Sequence, residues 1–235
     1  TFINSKVVEI KIIKMALIDN LIIRYHRLED RVAIKDICAD TGFLGKPIDP
    51  VFSDRELFAD IMNGYYLKKE PEHTFVAEVD NQVVGYITGS VNRFAHLGLA
   101  LNAIKPTTKA VSRLLTGKYE DSPQNKEFLN WLFTKAALEM PNHPKNAAHA
   151  HFNIIDGFRY EGIGTALIET AFKKLGPDLQ SRGIKNLYGE VFAHQEKPEE
   201  YFINAGFNIY DKKESTLFRN HIEGPVHFLC ITKEI

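Results

Sequence analysis

The chain has 235 residues, 44% of them hydrophobic, and its 29 basic and 30 acidic side chains nearly cancel, so no nucleic-acid partner is expected from bulk charge. That length fills one domain with an insertion, or two small domains, and one is favoured, spanning 21–235 behind an extension at 1–20. Cys38 and Cys230 are too few and too distant in sequence for a disulfide framework or a metal site, and no apolar run approaches the roughly 18 residues of a membrane span; a soluble, cytoplasmic protein without a membrane partner is expected.

Residues 6–14 alternate as a strand does, and two readings stay open for them: an added edge strand, or upstream residues preceding Met15. The next strand is expected over Leu21 to His26, followed by a short helix from Asp30 to Ala39. The sequence DTGFLGKPIDP then gathers Gly42, Gly45, Pro47 and Pro50 into a loop that should rim a cleft. A second helix begins at Ser53, taken as N-cap with Glu56 three residues on, the spacing of a capping box, and ends at the pair Tyr65-Tyr66. Two strands, HTFVAEVD and QVVGYITGSV, flank the turn pair Asp80-Asn81 and predict a hairpin. Residues 94–145 are rich in helical pattern and hold the single tryptophan, Trp131; a lid or a dimer surface are both open for them.

From Ala148 to Leu175 the chain reads as strand, glycine turn and amphipathic helix in succession. His149, His151 and Asn153 fall on one side of the extended half, Ala150, Phe152 and Ile154 on the other. Ile163, Ala166, Leu167, Thr170, Ala171 and Leu175 form a stripe at helical spacing. Between them, Gly162 and Gly164 let the backbone come close to a ligand and leave the first amides of the helix pointing outward, an arrangement that attracts an anion such as phosphate. The dinucleotide pattern G-x-G-x-x-G fails at Leu167, and no lysine follows the glycines as a Walker loop requires. Beyond this stretch, LYGEVFA predicts a strand, Lys197 to Ala205 a helix stopped by Gly206, Phe207 to Tyr210 a strand, and VHFLCITKE the last one.

Arg159, Gly162 and Gly164 fill [QR]-x-x-G-x-[GA], which resembles the pyrophosphate loop of the GNAT superfamily of acyl-CoA-dependent N-acyltransferases. VVGYITG and the element around Gly206-Phe207 are similar to that superfamily too. Within it, Cys38 to Gly42, Tyr66 to Pro71, the helical insertion and Ala148 to His151 are similar to bacterial acetyltransferases related to the acetyltransferase-like domain at the C-terminus of O-GlcNAc hydrolases. The resemblance implies an α/β GNAT fold: a mixed, mostly antiparallel seven-stranded sheet, helices on both faces, and the insertion between the third and fourth strands. It also implies acetyl-CoA as co-substrate, a small-molecule amine or protein lysine as acceptor, and a homodimer as one possible assembly.

The resemblance further implies that the strand near Ile154 and Ile155 splays from its neighbour to offer an amide to the thioester carbonyl. Backbone from Arg159 through Tyr160, Glu161, Gly162, Ile163 and Gly164 to Thr165 would hold pyrophosphate, and Asp40, Thr41, Tyr65 and Tyr66 would contact the acceptor. A neutral amine needs a base. His149 and His151 share a face, and a similar His-x-His serves arylalkylamine acetyltransferases, although here it lies one residue nearer the loop arginine; Glu190, acting through water, is the other candidate. The pattern departs at the acid: family members present F-Y-x-x-x-G-F, with the tyrosine protonating the thiolate, but Tyr201 and Phe202 stand in reverse order, so Phe202 takes the cofactor-side position. The proton then comes from water, His194 or Tyr188, or the protein turns over slowly, or it is an acyl-CoA-binding module with a regulatory or interaction role. With neither cysteine near the loop motif, direct transfer is preferred over an acyl-enzyme.

Overall fold

The computed structural model describes residues 20–91, 95–159 and 162–234, the side chains of 95–102 apart. The expected N-terminal strand at 6–14 lies outside them. Seven strands form one sheet in the order β1-β2-β3-β4-β5-β7-β6: β1 Leu21–Tyr25, β2 Thr74–Val79, β3 Gln82–Ser90, β4 Ala147–Ile154, β5 Asn186–Ala193, β6 Asn208–Ser215 and β7 Val226–Glu234. Neighbours run antiparallel except β4 and β5. Asp80 and Asn81 close the β2–β3 hairpin with φ of 50° and 65°, the doubly left-handed turn whose twist suits two flanking strands.

The two faces of the sheet carry different helices. On one, α1 (Asp30–Thr41) and α2 (Arg55–Lys69) bury Ile34, Ile37, Leu57 and Phe58 together with Tyr86 of β3. On the other, α6 (Ile163–Ser181) packs Ile163, Leu167, Ile168 and Ala171 on Phe75, Ile87 and Ala150. The alternation of β4 sorts its side chains between them, as the sequence pattern anticipates. A short α7, Glu199–Asn204, covers the end of β5 through Phe202, which is buried with Ala193, Leu229 and Ile231. Among the described residues no helix is long and apolar enough to cross a membrane.

The insertion between β3 and β4 contains α3 (Ala95–Leu115), α4 (Pro123–Thr134) and α5 (Ala136–Glu139). It leaves the sheet after Ser90 and rejoins it at Ala147, two residues before His149, the partner of Ser90. Its helices add to the core on the α1–α2 side: Phe128 stacks on Phe52 with ring centres 4.4 Å apart, and Tyr119 and Leu129 are buried there. Glu139 accepts from the Thr216 backbone amide at 2.8 Å, the Thr216 hydroxyl at 2.6 Å and the Trp131 indole at 2.7 Å, tying the insertion to the β6–β7 loop.

The cap of α2 differs from the expected one. Asp54, not Ser53, is the N-cap and accepts from the Leu57 amide at 3.4 Å. Ser53 instead meets the insertion, its amide donating to Asn125 Oδ1 at 2.8 Å. A carboxylate wins the cap because it also pairs with Arg113 and receives the Tyr119 hydroxyl. Burial works against the Asp54 charge, but the bonds from Tyr119 and Arg113 outweigh it and hold the carboxyl below its usual range. Asp54→Asn is expected to cost about 1.5–3 kcal/mol at neutral pH, because it removes the charged partner of Arg113 and leaves it only the exposed Glu56 at 3.7 Å. A lowered folded-state pKa contributes stability above the unfolded value, about 3.9, and loses it as pH falls through the folded one. Urea unfolding of both proteins should therefore converge on acidification below about pH 4.

Candidate active site

The ladder between β4 and β5 runs in parallel from Ala147 opposite Asn186 to His149 opposite Tyr188. Beyond that rung the strands part: β4 stays with β3 as far as Ile154, and β5 stays with β7 as far as Ala193. Gly189 stands at the point of parting, where a side-chain carbon would lie 2.8 Å from the Ala150 carbonyl oxygen. Ile155 donates its amide to the Val84 carbonyl at 3.0 Å. Because backbone groups alternate sides along a strand, those of His151 and Asn153 also face β3, and those of Ala150, Phe152 and Ile154 face the gap. The expected amide at Ile155 is thus spent inside the sheet, whereas that of Ile154 faces the gap.

At the open end of the gap, α6 begins. Gly162 is its N-cap with φ of 81°, in the left-handed region, and no side chain caps the helix. A side-chain carbon on Gly164 would meet Ile154 Cδ1 at 3.4 Å. The first-turn amides of Ile163, Gly164 and Thr165 have no partner within the helix, and the helix dipole adds partial positive charge there. Tyr160 and Glu161 lie outside the described residues. Arg159 is placed differently from a simple phosphate ligand: Nε donates to the Ile154 carbonyl at 2.9 Å and Nη2 to the Gly45 carbonyl at 2.6 Å. It staples the end of β4 to the α1–α2 loop, work that an uncharged side-chain amide could share. Its charge still counts, since Lys197 senses it, and His194 in turn senses Lys197 and Lys46.

At the closed end, on the α1–α2 face, a polar cluster surrounds Glu190. His149 Nε2 lies 2.5 Å from one carboxylate oxygen and His143 Nε2 lies 2.7 Å from the other. Burial opposes the Glu190 charge, but His149 and the bonds to His143 overcome it and hold the carboxyl well below the usual range. An ionised carboxylate only accepts, so His149 carries hydrogen on Nε2, while His143 stands beside the other oxygen as an ion-pair contact. His149 Nδ1 meets the Tyr66 hydroxyl, whose own ionisation is pushed far up by burial and by the Glu190 charge. His149 is thereby bonded at both ring nitrogens and only 7% exposed, against 18% for His143 and for Glu190. His151 belongs to a second network, with Nε2 3.0 Å from the Tyr86 hydroxyl and 3.1 Å from Asn153 Nδ2. Burial and the nearby His149 charge push it down to about 4, which keeps it neutral near pH 7.

Sequence reasoning missed His143. It lies at the end of the insertion, 47 positions from Glu190 by residue number, and the only local sign was an imidazole between Pro141 and Pro144 just before β4. Of the expected acceptor contacts, Thr41 is buried with its hydroxyl on the Ile37 carbonyl at 2.7 Å, and Tyr65 donates to the buried Glu70 at 2.6 Å. Both are committed to the protein interior. Asp40 is paired with Arg55 at 2.5 Å on the surface. Tyr66 is the one of the four that joins the Glu190 cluster. Cys230, distant from the loop in sequence, is opposite Glu190 across the sheet; burial and the Glu190 charge push its thiol up to about 12, leaving it protonated and a poor nucleophile.

Gly189→Ala is expected to force Ala150 and β5 apart and to destabilise the protein by about 1–3 kcal/mol, the usual cost of overpacking. Urea unfolding measures this, and Gly176→Ala, where a side-chain carbon meets nothing within 4 Å, controls for the loss of glycine alone.

No protein-family model matches the chain, and no curated protein matches it in sequence. Solved structures do resemble it. SsHAT is 20% identical, with 92% of this chain and 98% of that one covered at a TM-score of 0.54. A GCN5-related N-acetyltransferase from Kribbella flavida is 15% identical, with 92% and 99% covered at 0.53, and a further acetyltransferase is 16% identical, with 91% and 99% covered at 0.50. With its mixed sheet of seven strands parted between β4 and β5, helices on both faces and a helix start at the mouth of the gap, the chain has the GNAT fold.

Proposed function

We propose that this protein is an acetyl-CoA-dependent N-acetyltransferase that moves the acyl group directly to an amine of a small molecule or a protein lysine. The observation that carries the reading is the parting of β4 from β5, with an anion-attracting helix start at its open end and a carboxylate between two imidazoles at its apex. The residues fit the co-substrate: Gly162 and Gly164 keep the helix start clear, and the gap-facing backbone of Ala150, Phe152 and Ile154 can pair with an amide-bearing chain as a strand would. Acetyl-CoA supplies an activated acyl thioester. The acetyltransferases among the structural relatives support the same class of reaction.

This chain's own residues then have separable tasks. A gap-facing amide of β4, from the set Ala150, Phe152 and Ile154, donates to the carbonyl oxygen as negative charge develops there. Glu190 stands between His143 and His149, and this cluster takes the acceptor's proton, directly or through one water. His149 and Tyr66 fix one carboxylate oxygen, and His151 stays a neutral member of the Tyr86 network. Direct transfer suits Cys230, whose high pKa makes an acyl-enzyme on that sulfur unfavourable.

Gly164→Asp is expected to abolish acetyl-CoA binding in calorimetry while the protein still folds, because a carboxylate would stand at the helix start where a phosphate is attracted. Gly162→Asp should behave alike, since aspartate tolerates the left-handed conformation better than most residues. A folded variant with wild-type affinity would remove the cofactor assignment. Glu190→Gln and His143→Ala should each lower kcat/KM by about 10²-fold or more, in thiol release from acetyl-CoA with a panel of amines, while leaving acetyl-CoA affinity intact. Binding without thiol release by the wild-type protein would favour a binding module instead.

A further inference from the structure

Lys197 lies on the turn between β5 and α7, and its backbone is fixed by a reciprocal pair of hydrogen bonds with His194 at 3.1 and 3.0 Å. Its side chain runs back over α7, where Nζ stands 4.6 Å from the ring centre of Tyr201 and 5.2 Å from that of Phe202. An ammonium over aromatic faces at such distances is held by the ring quadrupoles. Phe202 is buried against Ala193 at the end of β5. Arg159, whose charge Lys197 senses, is bonded to the Ile154 carbonyl at the end of β4. One ammonium is therefore close to both strand ends whose separation makes the gap.

The other proton donors near the gap are poorly suited. Tyr201 is 38% exposed whereas Phe202 is 5% exposed, and the two rings stand at 85°, so Tyr201 is the more solvent-facing of the pair. Tyr188 is buried on the α1–α2 face, where burial and the Glu190 charge push its phenol far up, so that it holds its proton tightly. His194 is pulled down by burial and is mostly neutral at pH 7. Lys197 is pushed the other way from Tyr188, its ammonium made a readier acid by burial and by Arg159; Lys46 and Glu196 act on the adjoining His194.

Resting on the acyl-transfer reading, we infer that Lys197 is the proton donor to the leaving thiolate, in the part that a tyrosine at position 202 would otherwise take. As the new C–N bond forms, the C–S bond breaks with its electron pair going to sulfur. One amine proton passes, directly or through water, to the Glu190–His143 cluster and from there to solvent, and one Nζ proton passes to sulfur, giving a thiol and a neutral lysine that recovers its proton from solvent. The charge of Lys197 also attracts sulfur while the bond lengthens, before the proton moves.

The test uses the full chain, acetyl-CoA and a panel of primary amines. Lys197→Met and Lys197→Arg should both lower kcat by about 10²-fold or more while calorimetric affinity for acetyl-CoA changes little. Arginine is the decisive variant, since it keeps the charge and the packing but does not release its proton. Adding Phe202→Tyr to Lys197→Met should restore turnover by placing a phenol where the lysine acted. Wild-type kcat in Lys197→Arg would overturn the proposal in favour of charge alone, and a loss confined to acetyl-CoA affinity would overturn it in favour of a phosphate-binding cation. A wild-type protein that binds acetyl-CoA but releases no thiol overturns it as well, with the cofactor site left standing; absence of acetyl-CoA binding removes the reading beneath it too.

Discussion

The proposed site depends on two parallel strands ceasing to pair. A strand edge turned into the protein leaves amides and carbonyls that must find partners or stay costly, so a sheet does not open in its middle without compensation. Here the compensation comes from the outer neighbours. β4 holds β3 from Ser90–His149 to Gly85–Ile154, and β5 holds β7 along its whole length. Each half of the sheet is secured without the other. The apex is kept tight by Gly189, whose missing side chain lets the Ala150 carbonyl approach, and the mouth is kept in place by Arg159 bridging Ile154 and Gly45.

The gap also divides charge. Its apex on the α1–α2 face holds a carboxylate with imidazoles on both oxygens, a tyrosine behind one of them and a protonated thiol across the sheet. Its mouth is cationic, through Arg159, Lys197, Lys46 and the dipole of α6. An anionic ligand entering from the mouth meets favourable potential first and a proton-accepting cluster last. Both groups are half-shielded from water, which strengthens each interaction relative to bulk solvent.

The elements that depend on near neighbours were legible in the sequence. Alternation placed His149, His151 and Asn153 on one face, the two glycines marked the start of α6, and Asp80-Asn81 marked the hairpin; each rests on residues a few positions apart. What failed was what depends on contacts across the fold. Asp54 displaced Ser53 as cap because Arg113 and Tyr119, about sixty residues away, reward a carboxylate there. Thr41 and Tyr65 look like cleft residues until Ile37 and Glu70 are seen to take their hydroxyls. His143 gained its importance only when the insertion returned it beside Glu190, and Cys230, dismissed for its distance along the chain, proved to be across one ladder from the same carboxylate. Arg159 was found by pattern, but its bonds go to backbone carbonyls, a distinction that spacing does not encode.

The insertion lies between Ser90 and Ala147, and Ser90 faces His149 on the adjacent antiparallel strand. Topologically, three helices occupy the place of a hairpin loop. Closing such a loop costs an entropy that grows only with the logarithm of its length, about 0.6 kcal/mol for each doubling, so the sheet tolerates a long excursion almost as readily as a short one. The excursion must then justify itself by its own contacts, and it does so at Phe52, Asp54 and Thr216. The same geometry makes this hairpin tip the natural place for the architecture to diversify: the segment that brings His143 to Glu190 can be lengthened, shortened or exchanged while both flanking strands keep their register, so the surroundings of the carboxylate can change without disturbing the gap beneath it.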